Sequence, residues 1–102
     1  RSVMNYNGAG GAGGNLVHNF IWEDNDISFN QWRGFETGLG GWGAAGLKLH
    51  NTRNGIFRRN TAIGNLALGY WFDINCLDFQ IDDLVAAGNF IGLFLEISKG
   101  PI

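Results

Sequence analysis

The chain has 102 residues, room for one domain at most, with 45% hydrophobic and only 16% charged residues, a composition that excludes intrinsic disorder. Net charge is −2 and the seven Lys and Arg are scattered, so there is no electrostatic footprint for nucleic acid or an anionic membrane surface. No uninterrupted apolar run is long enough to cross a bilayer, and the lone Cys76 excludes an internal disulfide.

The first element in chain order is glycine-rich. GAGGAG, Gly8 to Gly13, fits G-x-G-x-x-G formally. A dinucleotide site needs a strand before that motif and a helix after it, whereas NLVHNFIW follows here and reads as turn and strand. It is therefore read as a glycine-rich first coil, with Asn15 beside His50.

HNFIWEDNDISFN, His18 to Asn30, matches RNGIFRRNTAIGN, Arg53 to Asn65, at an offset of 35 residues, which aligns Asn19, Asn25 and Asn30 with Asn54, Asn60 and Asn65. Three later segments repeat at 23 residues: Gly46-Leu-Lys-Leu-His50, Gly69-Tyr-Trp-Phe-Asp73 and Gly92-Leu-Phe-Leu-Glu96. The difference between 35 and 23 is an insertion near QWRGFETGLGGWGAA, residues 31–45. A period in the low twenties, short alternating runs, Asn and Gly at turns and one proline predict an all-β solenoid with parallel sheets. Asn tolerates left-handed turns, and its amide can ladder between coils. A helical solenoid fits poorly, because helix pairs need longer repeats and less glycine. The predicted coils run near residues 11–45, 46–68, 69–91 and 92–102. The chain opens on Arg1 and closes on Pro101-Ile102, with no polar cap at either end, so a fragment lacking end caps is expected.

Alternation assigns the two faces of the repeated strand. Leu47/Leu49, Tyr70/Phe72 and Leu93/Leu95 are predicted to point inward. Lys48, Trp71 and Phe94 then form one outward column, and His50, Asp73 and Glu96 the next. Adjacent parallel strands lie about 4.8 Å apart, so Asp73 and Glu96 are expected roughly 5 Å apart, the separation of a retaining glycosidase pair. Two carboxyls that close can divide acid and base roles between them. Trp71 and Phe94 add flat apolar faces for a sugar ring. The alternative is a solvated strand face carrying two unrelated acids. Against it, stacked like charges and exposed aromatics both destabilise.

The Asn spacing with G-hydrophobic-x-hydrophobic resembles the right-handed parallel β-helix repeat, over roughly His18 to Ile102. More narrowly, GLKLH, GYWFD and LFLEISKGP resemble coils of β-helix glycoside hydrolases of the β-xylosidase type, over roughly Gly46 to Pro101. That resemblance implies Asp73 as nucleophile and Glu96 as general acid/base. It also implies a polysaccharide or oligosaccharide substrate, no cofactor, and an extracytoplasmic location if the protein is carbohydrate-active. Two departures stand out: Ile74-Asn75 follows the Asp where the family tends to carry a further aromatic, and Ser98-Lys99 replaces an Asn-His pair.

The remaining signals are weaker. His18 and His50 lack metal-ligand spacing, and no metal site is predicted. Asp73, Asp78, Asp82, Asp83 and Glu96 are hard oxygen donors of the kind a calcium-dependent polysaccharide lyase uses, although Asp82-Asp83 reads as a polar turn. In the insertion, Trp32 and Trp42 are candidate sugar-stacking residues, with Arg33 or Glu36 bonding hydroxyls. Those aromatics, with Phe35, serve equally well as the insertion's own small core. A non-catalytic glycan-binding or structural β-helix module is the remaining alternative.

Overall fold

The computed structural model describes residues 1–34 and 41–102. Within them the chain is all-β, with seven strands and no helix: β1 (Ala12–Asn15), β2 (His18–Glu23), β3 (Ala45–His50), β4 (Arg53–Ile63), β5 (Leu68–Asp73), β6 (Leu77–Ala87) and β7 (Ile91–Glu96). Odd strands form one parallel sheet in the order β1-β3-β5-β7, and even strands another in the order β2-β4-β6. Each pass of the chain therefore adds one strand to each sheet, beside the strand laid down by the pass before.

The register follows the repeat. Leu47 pairs with Tyr70 and Tyr70 with Leu93; Lys48 pairs with Trp71 and Trp71 with Phe94. In the even sheet Phe20 pairs with Gly55 and Gly55 with Phe79. The later offset there is 24 residues rather than 23, as Arg53 pairs with Leu77. The connection from β5 to β6 is one residue longer than its counterpart after β3, and the connection from β6 to β7 is one shorter than that before β5, so the odd sheet recovers its 23-residue step.

Corners stack as strands do. Asn19, Asn54 and Asp78 share a positive φ, and so do Asp24, Arg59 and Asp83, and Phe29, Gly64 and Gly88. Each set lies at equivalent points of successive passes. A left-handed residue is sterically costly except for Gly, Asn and Asp, which hold most of these positions. Inside the turns runs an asparagine ladder. The Asn7 amide donates to Asn30 Oδ1 at 2.9 Å, Asn30 to Asn65 Oδ1 at 3.0 Å, and Asn65 to Asn89 Oδ1 at 2.9 Å. Asn30 and Asn65 are fully buried, so their amides replace water for backbone groups such as the Ile27 carbonyl, to which Asn65 Nδ2 donates. The ladder also explains the recurring glycine. A Cβ at Gly69 would lie 2.6 Å from the Gly92 carbonyl oxygen and 3.0 Å from Asn89 Nδ2.

The core lies between the sheets. Leu47, Leu49, Tyr70 and Phe72 come from the odd sheet and meet Phe57 and Phe79 from the even one. Phe57 contacts Phe72 at 4.9 Å between ring centroids, and Phe72 contacts Phe79 at 5.0 Å. Leu93 and Leu95 depart from the predicted interior and are 39% and 46% exposed. Their strand is the last of its sheet, and among the described residues no strand follows β6 in the even sheet to cover their inward faces. The first residues also join the stack, which the repeat pattern did not predict. Met4 N donates to the Asp26 carbonyl, and Asn7 N to Asn30 Oδ1, extending the 23-residue step one pass earlier.

Candidate functional site

The outward face of the odd sheet carries two columns. Register places Gly13, Lys48, Trp71 and Phe94 in one, and Asn15, His50, Asp73 and Glu96 in the other. Asp73 and Glu96 are thus direct partners on β5 and β7, with His50 in line on β3, because three strands of equal length end at the same rung.

The middle of this face is closed to water, so Asp73 is not displayed as expected, while Glu96 is half-buried. Lys48, Trp71 and Asp73 are only 5%, 7% and 6% exposed. The cover comes from the end of the insertion. Trp42 places its ring 4.4 Å from Lys48 Nζ and meets His50 edge-on at 5.2 Å. Ala44 and Ala45 pack with Trp71, Ala67 and Leu68 in a second small apolar cluster, with Phe94 against its flank. Trp71 and Phe94 have ring centroids 6.0 Å apart.

Lys48 is held from several sides. Its ammonium is 3.2 Å from Asp73 Oδ2, donates to the Trp42 carbonyl at 2.5 Å, and lies 3.5 Å from the centroid of Trp71. A buried ammonium needs such compensation, and a carboxylate plus two aromatic faces provide it. Asp73 Oδ2 is thereby occupied. Asp73 Oδ1 and His50 Nδ1 are buried and have no partner among the described residues. Glu96 is half-buried and accepts a hydrogen bond from the Trp71 indole at 3.0 Å. Two carboxyls on adjacent strands are the residue types that two-carboxylate glycosyl chemistry uses.

Beside the columns lies a cleft of about 440 Å³, lined by Gly10, Ala12–Asn15, Trp42, Gly43, Lys48 and His50. It exists because the lysine–tryptophan–phenylalanine column ends in glycine. A Cβ at Gly13 would touch only the Lys48 carbonyl oxygen, at 3.4 Å. The sequence reading assigned these glycines only to a bland first coil. The signal that would have found them is the alignment of Gly13 with Lys48 at the 35-residue offset.

The other predicted residues fall elsewhere. Trp32 is away from the cleft: its indole donates to the Tyr6 carbonyl at 2.9 Å, and Arg33 packs over its ring at 5.3 Å. Phe35 and Glu36 lie outside the described residues. Asp78, Asp82 and Asp83 sit on β6, in the other sheet from Asp73 and Glu96, so the five acids do not converge. Among the described residues no group of three or more His, Cys, Asp or Glu is placed to hold a metal ion.

No protein-family model matches the chain, and no curated protein and no solved structure is significantly similar to it.

Proposed function

We propose that the chain is part of a right-handed parallel β-helix and that its odd-sheet outer face is the active site of a retaining glycoside hydrolase acting on a β-xyloside-like glycan. Parallel strands joined by crossovers favour the right-handed path, and stacked corners with buried asparagine ladders suit a solenoid. The observation that carries the functional reading is the pairing of Asp73 with Glu96 on adjacent parallel strands, beside Trp71 and Lys48.

In this mechanism Asp73 Oδ1 bonds to the anomeric carbon as the glycosidic C–O bond breaks, and Glu96 gives its proton to the leaving oxygen. Water then attacks the same carbon, returns a proton to Glu96 and frees Asp73. Lys48 holds the other Asp73 oxygen and fixes the direction of attack. Because Asp73 Oδ1 is buried, the side chains over it have to move aside for the anomeric carbon to reach it. The test is kcat/KM on one natural and one activated aryl glycoside. Asp73→Asn abolishes both activities, and azide restores part of the activity of Asp73→Gly. Glu96→Gln harms the natural substrate far more than the activated one, which needs little protonation to depart. Near-normal turnover by Asp73→Asn removes the proposal.

A non-catalytic glycan-binding or structural module is the second reading. It is favoured by the matched charges of Lys48 and Asp73, since a nearly buried, fully compensated pair also serves as an architectural element. That module would bind saccharide without turnover.

A further inference from the structure

We infer that the glycine-floored cleft seats the sugar unit that stays on the nucleophile, and that Gly13 sets how large that unit can be. This inference rests on the glycosidase reading of Asp73 and Glu96 and extends it to substrate orientation.

The order of residues along the column gives the direction. Asn15, His50, Asp73 and Glu96 occupy successive strands β1, β3, β5 and β7. Glu96 serves the leaving oxygen, so the departing group lies on the β7 side. The sugar bonded to Asp73 must extend the other way, towards His50 and Asn15, which line the cleft. The ring of the retained sugar then has Trp42, 68% exposed, as an apolar wall. His50 and Asn15 supply hydrogen-bonding groups for hydroxyls. Asn15 Oδ1 already accepts from Asn51 at 3.2 Å, which fixes its amide and leaves the NH₂ group to donate.

Charge selects among sugars. Lys48 is the one formally charged side chain among the described lining residues, and Asp73 already neutralises it. A uronate carboxylate entering the cleft would find no unpaired Lys or Arg, and its desolvation would go uncompensated. A neutral ring carries no such cost. The cleft is therefore a site for neutral glycosyl units, which sets it apart from the acidic polymers that a lyase would take.

Size selection comes from the missing side chain. Lys48, Trp71 and Phe94 fill their rungs of the column, while Gly13 leaves its rung empty. Gly13 has no left-handed φ, and a Cβ there meets only one atom, at ordinary contact distance. The glycine is thus not required by the backbone. A larger side chain at this rung would extend from that Cβ into the cleft.

The experiment is binding of xylobiose and of digalacturonate, followed by calorimetry and by the NMR shifts of the Trp42 indole and the His50 ring. Xylobiose is expected to bind and to shift both signals, and digalacturonate to bind at least about tenfold more weakly. Gly13→Leu, checked for an unchanged melting temperature, is expected to weaken xylobiose binding by about tenfold or more through overfilling, with Gly13→Ala in between. Should Gly13→Leu lose its fold, the wild-type shifts still decide the matter. The inference is overturned if xylobiose fails to bind, if it moves Phe94 but neither His50 nor Trp42, or if a folded Gly13→Leu binds as the wild type does. Xylobiose seated in the cleft without any hydrolysis keeps the cleft as a sugar site and removes the hydrolase reading instead. Hydrolysis that Gly13→Leu leaves unchanged does the reverse.

Discussion

The outer faces of the two sheets are built from the same kind of strand, yet they treat charge in opposite ways. On the even sheet, Arg58 donates to Glu23 at 2.6 Å and Arg59 to Asp24 at 2.8 Å, one pass apart, with every partner 37–51% exposed. On the odd sheet, Lys48 and Asp73 meet at 3.2 Å with side chains 6% and 8% exposed, under Trp42 and against Trp71. Charges in water can be placed along a repeating face at little cost, and the pairs they make add little. Charges taken out of water cost several kcal/mol each before compensation. A chain with so few charges has no architectural need to bury a lysine and a carboxylate outside its core. The buried pair is therefore the costlier placement, and the odd face has to compensate it through Trp42 and Trp71.

The contrast breaks most visibly when one partner is removed. Lys48→Ala leaves Asp73 buried without its counter-charge, and the expected loss is about 3–5 kcal/mol by denaturant melts. Arg58→Ala, on the solvated face, is expected to shift the midpoint too little to resolve. Lys48→Met with Asp73→Leu should recover most of the loss, since an apolar pair of similar size is often neutral or better. If Lys48→Ala and Arg58→Ala melt alike, the two faces do not differ as described.

Asparagine sharpens the same point at smaller scale. Asn65 is buried, and it accepts from both Asn30 N and Asn30 Nδ2 at 3.0 Å while donating to the Ile27 carbonyl at 3.0 Å. Asn65→Ala strands those groups away from water, with an expected loss of about 3 kcal/mol. Asn54 has an exposed amide that donates to Asn19 at 2.6 Å and a left-handed φ that glycine also adopts, so it should tolerate Gly with a much smaller change. Equal losses at both sites would show that burial is not what gives the ladder its strength.

A buried polar group without a partner should behave in the opposite sense. Burial pushes the Tyr70 hydroxyl well above its ordinary value, and the group finds no partner among the described residues. Tyr70→Phe keeps the ring and removes the unpaired hydroxyl, so the midpoint is expected to rise by about 1 kcal/mol. A fall would mean that a bound water satisfies the hydroxyl.

The smallest effect belongs to the solvated pairs under acid. Arg58 and Arg59 hold the Glu23 and Asp24 carboxyls below their ordinary values by donating hydrogen bonds to them. Whatever stability this gives is present above the unfolded carboxylate range and is lost as pH falls through the lowered folded values. Both groups are exposed, so salt screens the effect. Glu23→Gln with Asp24→Asn should leave the acid limb of the stability curve nearly where it was, and less displaced still at high salt. A large displacement would show that the even face also depends on its charges.

Much of this was legible in the sequence. Gly46, Gly69 and Gly92 set the odd-sheet register, and period-two alternation put Leu47, Leu49, Tyr70 and Phe72 inside and aligned Asp73 with Glu96. A repeat reports which residues stack; it does not report what lies over them. Trp42, which lies over Lys48, comes from the insertion, which belongs to one pass only and so leaves no periodic trace. Leu93 and Leu95 have the interior parity but are exposed, because inwardness also needs a following pass. The cleft escaped notice because its signal is side chains that are missing, at Gly10 and Gly13. Trp32 and Trp42 lie in the same insertion and look alike in sequence, but only the second folds over the columns.

The most direct test of the proposed paired-acid site is chemical trapping in the protein. A 2-deoxy-2-fluoro β-xyloside with a good leaving group forms the glycosyl intermediate but slows its hydrolysis, so peptide mass spectrometry can locate the bond. The account predicts one sugar per chain, attached to Asp73, absent from Asp73→Asn and retained in Glu96→Gln with the same activated donor. Hydrolysis with no label, or a label on any other residue, would contradict it.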